Sequence, residues 1–244
     1  TGRVVLKRNL SAAEIVSQIV LADRWIDTNP KWLERLSLKG VVGRVTNVVF
    51  MGMGEPLDNV EGISQAITIM IDAYGLGLSY RKITVSTAGH LDGLRTLMER
   101  HPKVSLAFSL HAATDILRSK LLPINTRWGL EPVREAIRWL NQQWDKTILI
   151  QYTVLGAIND DELHANQLVD FLDGLQVKVN LIPFNEFEVS RFKAPDPARV
   201  ERFRDILHDN GIRVMVRYSK GQDISGACGQ LFQSTQQRII NGEE

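Results

Sequence analysis

Two glycines, a carboxylate and a proline stand together in Gly52-Met53-Gly54-Glu55-Pro56-Leu57, directly after the apolar, β-branched run at 45–50. Such a run predicts a buried strand, and the glycines predict a turn at its end. Glycine allows close approach of a ligand or a positive φ, and Glu55 offers an acceptor-only carboxylate suited to an ammonium group or to ribose hydroxyls. The alternative is an ordinary strand-to-helix loop with a solvated glutamate, and this segment alone leaves both interpretations open.

Small polar residues recur at the ends of the later apolar runs. In parallel α/β folds, ligands gather outside the carboxyl ends of the strands. Any one of these residues could be a helix cap or a loop residue, but their recurrence at five successive strand ends favours a ligand site. The residues are Gly54 and Glu55, Ser86 and Thr87, Ser109 and His111, Asn159 and Asp160, and Asn185.

Two residues with chemistry of their own keep two interpretations each. His111 ends an apolar strand and is either a hydrogen-bonded core or cap histidine or a general acid–base. Cys228, in Gly226-Ala227-Cys228-Gly229, is either a small buried hydrophobe or an accessible thiolate near a helix start. The other histidines fit no metal-ligand spacing, so no metal site is assigned. As the sole cysteine, Cys228 cannot form an internal disulfide or supply a cluster-binding set.

The elements that position these residues alternate between helices and strands. Ser11, followed three residues later by Glu14, forms a capping box that predicts the start of the first helix. Strands separated by helices of ten or more residues predict βα units and a parallel sheet, which fits either an incomplete (β/α) barrel or a doubly wound sheet. No linker interrupts the series, so a single domain over 1–244 is expected. Predicted helices cover 12–27, 91–100, 131–144, 160–172 and 197–210, with a further one that starts at Asp58 and a last one from about Gly226. Predicted strands cover 45–50, 82–87, 104–111, 147–155, 177–183 and 212–218.

Composition places the chain among globular proteins. It has 244 residues, of which 44% are hydrophobic and 23% charged, and these values exclude a disordered or collagen-like chain. It contains no apolar run long enough to span a bilayer and no signal-peptide core, so a cytoplasmic location without membrane association is expected. The formal net charge of +1 neither requires nor excludes a nucleic-acid partner.

With these residues assembled, the chain resembles the RlmN/Cfr family of radical S-adenosylmethionine (SAM) RNA adenine methyltransferases, and more closely its RlmN branch. The resemblance covers nearly the whole chain, and several ordered motifs together are far more specific than any one. They are Thr1-Gly2 with Arg8-Asn9-Leu10, Gly52 to Leu57, Val85-Ser86-Thr87-Ala88-Gly89, Ser109-Leu110-His111-Ala112, Leu122-Pro123-Ile124-Asn125, Ile182-Pro183-Phe184-Asn185, and Gly221-Gln222-Asp223-Ile224 leading to Ala227-Cys228-Gly229-Gln230-Leu231.

The resemblance implies an α/β fold, a partial (β/α)6 barrel of radical SAM type, and two cofactors, SAM and a 4Fe-4S cluster. Gly54 and Glu55 would hold the amino group of SAM, and Ser86, Ser109, Leu110, His111 and Asn185 would contact the rest. Cys228 would be the catalytic residue that is first methylated. A 5′-deoxyadenosyl radical would then activate that methyl group for addition to adenine C2, and a disulfide with a second cysteine would resolve the adduct.

The sequence departs from the family at its beginning. The family's cluster-binding CxxxCxxC motif is expected just before Thr1, and an upstream small domain is expected to carry the general base and the second cysteine. The chain as given is therefore expected to be inactive by itself. It is either an RlmN-like protein without its N-terminal part or a natural paralogue that only binds RNA or SAM. The segment 28–44 is longer than the family usually has there.

By resemblance, the substrates are 23S ribosomal RNA and some transfer RNAs, the electron donor is a protein such as flavodoxin, and the protein is a monomer. RNA contacts are expected where basic residues adjoin aromatic ones that could stack a base. A barrel enzyme of aldolase type is a weaker alternative, because Lys178 stands at a strand start rather than at a strand end. The expected RNA contacts are Arg118, Lys120, Arg127 with Trp128, and Arg191 with Phe192 and Lys193.

Overall fold

The computed structural model describes residues 8–29, 31, 44–52, 54–186 and 190–218. Helices and strands alternate along these residues, and the strands follow one another in chain order, β1 to β6, in one sheet. The strands are β1 (Val48–Phe50), β2 (Ile83–Thr87), β3 (Ser105–Ser109), β4 (Ile148–Val154), β5 (Val177–Pro183) and β6 (Arg213–Val216). The α-helices are α1 (Ala12–Thr28), α2 (Val60–Ile71), α3 (Leu91–Arg100), α4 (Asp115–Leu121), α5 (Leu130–Trp144), α6 (Glu162–Leu172) and α7 (Pro197–Asp209).

The first of two compact units contains the described residues of 5–51 and 55–106. Its helix α1 begins at the predicted capping box, in which the Ser11 side chain accepts from the Glu14 N–H and the Glu14 carboxylate accepts from the Ser11 N–H at 2.8 Å. Strands β1 and β2 are parallel, with Val49 opposite Thr84. The core of this unit is aliphatic and fully buried at residues such as Ile67, Met70, Ile83, Val85 and Leu97.

The second unit contains residues 52, 54 and the described residues from 107 onward. Within it, β4 pairs in parallel with β3 and β5, and β5 pairs with β6. The rings of Tyr152 and Phe203 lie 5.1 Å apart, so α7 covers the sheet face to which Tyr152 points. Because side chains alternate along a strand, Gln151 and Thr153 point to the opposite face. One face of β4 is therefore covered by α7, and the other carries the polar side chains of Gln151 and Thr153.

The predicted elements agree with the structure within one to three residues at most ends, and the strand at 177–183 agrees fully. Strand β3 ends at Ser109 rather than at His111, because His111 has a φ of 59° that no strand can continue. Helix α4 was not predicted. The segment 32–43, Cys228 and the helix expected from Gly226 lie outside the described residues. Within the described ranges, no helix is both long enough and apolar enough to cross a membrane.

Candidate functional site

The Glu55 side chain closes the turn that follows β1. Its Oε1 accepts from the Leu57 N–H at 3.1 Å and its Oε2 from the Ala88 N–H at 2.8 Å. Burial raises the pKa of Glu55, and hydrogen bonds from Ala88 and Leu57 oppose that shift. Glu55 is thus an N-cap for the 3-10 turn Pro56–Asn59 and not the solvated residue of the alternative interpretation. The Thr87 side chain is a third hydrogen-bond partner. A carboxylate can accept about four hydrogen bonds, so capacity remains for a donor on a ligand.

Gly54 precedes this turn with a φ of 81°, a conformation that a residue with a Cβ rarely adopts. Its glycine identity is therefore explained by backbone geometry. A contact between Gly54 and SAM stays a prediction.

The two polar residues at the end of β2 have different roles. The Thr87 hydroxyl accepts from the Gly89 N–H at 3.0 Å and the His90 N–H at 3.1 Å, so it shapes the loop before α3. Ser86 is 7% exposed and, by strand alternation, points to the face opposite Thr87. The Ser86 side chain therefore does not take part in the loop that Thr87 shapes. Its contact with a cofactor remains a prediction.

His111 follows β3 in a left-handed conformation that is unusual for a residue other than glycine. Its Nδ1 accepts from the Thr153 N–H at 3.0 Å, and its carbonyl accepts from Asn159 Nδ2 at 2.8 Å. Burial lowers the pKa of His111 to about 4, and the charge of Arg118 contributes to this shift. The imidazole is therefore neutral at pH 7 with its proton on Nε2, which makes it a hydrogen-bond donor at that atom.

Arg118, expected on the RNA-binding surface, is instead fully buried. Its Nε donates to the Leu110 carbonyl at 3.3 Å and its Nη2 to the Ser109 carbonyl at 3.4 Å. Its Nη1 donates to Asn125 Oδ1 at 2.6 Å and to the Trp128 carbonyl at 3.5 Å. The prediction that Arg118 contacts RNA is wrong, because α4 turns this side chain toward the end of β3. The role of Arg118 could be inferred from the sequence only if helix α4 were predicted there.

Asn159 and Asp160, two of the expected strand-end residues, hold the protein's own structure together. Asn159 is fully buried; its Nδ2 donates to the carbonyls of His111 and Thr153 at 2.8 and 2.9 Å, and its Oδ1 accepts from the Leu155 N–H at 2.7 Å. Asp160 pairs with Arg199 at 2.9 Å. Asn185 lies half-buried two residues after β5 and stays a predicted cofactor contact.

A row of polar side chains crosses the second unit and was not predicted from the sequence. Ser109 lies opposite Gln151, which lies opposite Asn180, and in-register residues of parallel strands share a face. The Ser109 hydroxyl donates to Gln151 Oε1 at 3.3 Å, whereas Asn180 Oδ1 is buried without a partner. Polar residues in the middle of apolar strands were the sequence signal for this row.

Two pairs of basic and aromatic residues have the predicted association. The Arg127 guanidinium lies 4.0 Å from the centre of the Trp128 ring, and that of Arg191 lies 4.8 Å from the centre of the Phe192 ring. Arg127 and Arg191 are exposed, as are Lys120 and Lys193. These residues remain candidates for RNA contacts.

In each unit, the residues expected at the site lie at the carboxyl ends of parallel strands: Glu55 and Ser86 in the first, and Ser109, Leu110, His111 and Asn185 in the second. In the described part of the chain, no group of three or more histidine, cysteine, aspartate or glutamate residues could hold a metal ion. Fold and site together define a parallel α/β protein of the class that binds ligands at its strand ends.

The family model of the radical SAM superfamily matches residues 29–168. The chain therefore belongs to the radical SAM superfamily. The α/β fold expected from the resemblance is confirmed by a crystal structure of a radical SAM methyltransferase from Sphaerobacter thermophilus. That structure is 39% identical, with a TM-score of 0.82 over 92% of this chain and 62% of its own.

Curated relatives agree with the RlmN resemblance. A dual-specificity RNA methyltransferase RlmN from Ruthia magnifica is 42% identical over 95% of this chain, and one from Pseudomonas putida is 39% identical over 100%. The chain spans 62% of the length of each of these relatives. The SAM-bound SuiB of Streptococcus suis, 14% identical with a TM-score of 0.62 over 91% of this chain and 47% of its own, shares the fold.

Proposed function

We propose that the chain is the SAM-binding and methyl-accepting part of an RlmN-type enzyme that methylates adenine C2 in 23S ribosomal RNA and in some transfer RNAs. The observation that carries this proposal is the 42% identity to an RlmN protein across 95% of the chain. The strand-end geometry supports it, because the residues named by the resemblance lie where ligands of parallel α/β folds bind.

The described residues fit SAM. Asn180 Oδ1 is a buried acceptor without a partner, on the same sheet face as Ser109, and burial of such an atom is costly unless a donor reaches it. SAM carries an ammonium group, an adenine amine and ribose hydroxyls that can donate to such acceptors. When bound, SAM supplies an activated methyl group. By the resemblance, Glu55 is the proposed acceptor for its amino group. Within the second unit, the His111 Nε2–H offers a donor.

The residues of this chain do not fit a 4Fe-4S cluster by themselves. A site-differentiated cluster needs three thiolates, and Cys228 is the only cysteine among the 244 residues.

Cys228 is the proposed methyl acceptor, by its match to the family motif Ala227-Cys228-Gly229. Its thiolate is the form that can attack a methyl carbon, since the thiol is a poor nucleophile. The target adenine must leave its stacked position to meet this residue, at an energetic cost of a few kcal/mol. Exposed Arg127 with Trp128 and Arg191 with Phe192 are the proposed contacts for the surrounding RNA.

The test is mass spectrometry of RNA from a bacterium whose own RlmN gene is deleted and which expresses the protein containing this chain. We expect 2-methyladenosine in 23S ribosomal RNA and transfer RNA, no methylation with Cys228→Ala, and full methylation with the matched control His208→Ala, whose side chain is exposed on α7. Methylation that persists in Cys228→Ala contradicts the methyl-carrier role. SAM binding without any methylation would favour a binding module that lacks catalysis.

A further inference from the structure

Arg118 is the largest fully buried side chain among the described residues, and its guanidinium is directed at backbone oxygens of the candidate cofactor segment. Its acceptors include the carbonyls of Ser109 and Leu110. We propose that Arg118 is a positioning residue that fixes Ser109–His111 in the conformation required for SAM binding. This inference rests on the proposed function.

The geometry of the peptide gives this contact a direction. In a planar trans peptide, the C=O and the following N–H point in opposite directions. Because the Leu110 carbonyl points to Arg118, the His111 N–H points away from the buried guanidinium. By binding the Leu110 carbonyl, Arg118 thereby orients the His111 N–H toward the opposite side of the segment.

Arg118 is itself held in place by a second set of bonds. Asn125 accepts from its Nη1 and donates through Nδ2 to Asp115 Oδ1 and to Ser119 Oγ, both at 2.8 Å. Asp115 Oδ1 also accepts from the Leu130 N–H at 2.9 Å, at the start of α5. Helices α4 and α5 therefore hold the guanidinium by a continuous chain of hydrogen bonds.

The conformation that Arg118 fixes costs energy. A left-handed φ is unfavourable at a residue with a Cβ and persists only where the surroundings determine it. At His111 the surroundings act on both sides, since Arg118 binds the preceding carbonyl and Asn159 Nδ2 binds the His111 carbonyl. Arg118 is expected to remain charged at pH 7, because burial lowers its pKa only to about 10.

The experiment compares Arg118→Gln with Arg134→Gln. Arg134 is a matched control because it also donates to two backbone carbonyls, those of Phe171 and Asp173 at 2.9 and 2.8 Å, at the end of α6. SAM affinity is measured by isothermal titration calorimetry, and the tautomer and pKa of His111 by ¹⁵N NMR without ligand. We expect Arg118→Gln to weaken SAM binding by about 10–100-fold, the range found for residues that orient metal ligands from the second layer. The same change should raise the pKa of His111, because it removes a positive charge. Arg134→Gln should change neither quantity.

A folded Arg118→Gln protein with unchanged SAM affinity and an unchanged His111 ring would overturn the inference. If the variant does not fold, Asn125→Ala removes the 2.6 Å anchor of the guanidinium but keeps its contacts to the Ser109 and Leu110 carbonyls. The same two readouts then decide, with a smaller loss of affinity expected. If the wild-type protein does not bind SAM, the proposed function fails, and the ligand-free His111 spectrum alone decides whether Arg118 fixes the segment.

Discussion

The Glu55 carboxylate accepts the Ala88 N–H at 2.8 Å, which joins the turn after β1 to the loop after β2. The same side chain accepts the Leu57 N–H, so one half-buried carboxylate joins both loops. Loss of such a bond commonly costs about 1–3 kcal/mol when a buried donor is left without a partner. We expect Glu55→Ala to lower the free energy of unfolding by that amount, as measured by urea denaturation.

Glu55 should also contribute a pH dependence of unusual sign for a carboxylate. Because burial raises its pKa above 4.5, the native state holds the proton at pH values where the unfolded state has released it. Its contribution to stability is therefore largest below pH 4.5 and falls as pH rises through the raised pKa. Glu55→Gln does not titrate, so the stability of wild type minus that of Glu55→Gln should fall with rising pH. A constant or rising difference would contradict this assignment.

Gly93 in α3 leaves room for the turn that Glu55 caps. A Cβ at this position would lie 2.5 Å from the Leu57 carbonyl oxygen, a backbone atom that cannot move aside locally. We expect Gly93→Ala to destabilise the protein by about 1–3 kcal/mol, as overpacking does. Gly62→Ala in α2 is the matched control. Its Cβ would meet the flexible Asn59 side chain, and alanine favours a helix by about 1 kcal/mol, so urea denaturation should show little loss of stability.

His111 should make the protein sensitive to acid. The unfolded histidine takes up its proton near pH 6.5, whereas the folded one does so near pH 4, so stability is lost as pH falls between these values. The contribution is at most about 3 kcal/mol. Asparagine tolerates a left-handed φ, so His111→Asn removes the imidazole without straining the backbone. We expect the unfolding free energy of His111→Asn to depend less steeply on pH than that of wild type; equal slopes would refute the low pKa.

A substitution of Asn180 tests whether the row of polar side chains formed by Ser109, Gln151 and Asn180 binds a ligand. Since its Oδ1 has no partner, Asn180→Leu should raise the free energy of unfolding by about 1 kcal/mol while it weakens SAM binding. Asn125→Leu is the control for the stability measurement alone, because it removes an amide with several hydrogen bonds and should destabilise the protein. Unfolding curves and calorimetric titration with SAM measure both effects. Unchanged SAM affinity in Asn180→Leu would show that the row does not contact this ligand.

The alternation of helices and strands was predictable because each has its own hydrophobic period and because the cap at Ser11 is local in sequence. The side-chain roles at strand ends were not predictable from type alone. Asn159 and His111 are both polar and both follow strands, yet Asn159 forms internal hydrogen bonds through both amide atoms whereas His111 retains a donor at Nε2. Arg118 shows the same limit, since its burial depends on a helix of seven residues, which is too short for a hydrophobic period to identify it.

The exposed cations near Trp128 and Phe192 give a prediction that depends on salt. Loss of one phosphate contact should weaken the binding of RNA whatever the RNA sequence is. It should also reduce the slope of log affinity against log salt concentration by about 0.7–0.9. We expect this for Arg127→Gln and Arg191→Gln, measured by fluorescence anisotropy with a 23S ribosomal RNA fragment. Arg138→Gln is the matched control, because Arg138 pairs with Glu135 on α5 and should leave the slope unchanged. If all three variants keep the wild-type slope, Arg127 and Arg191 do not contact phosphates, and the RNA-binding surface lies elsewhere.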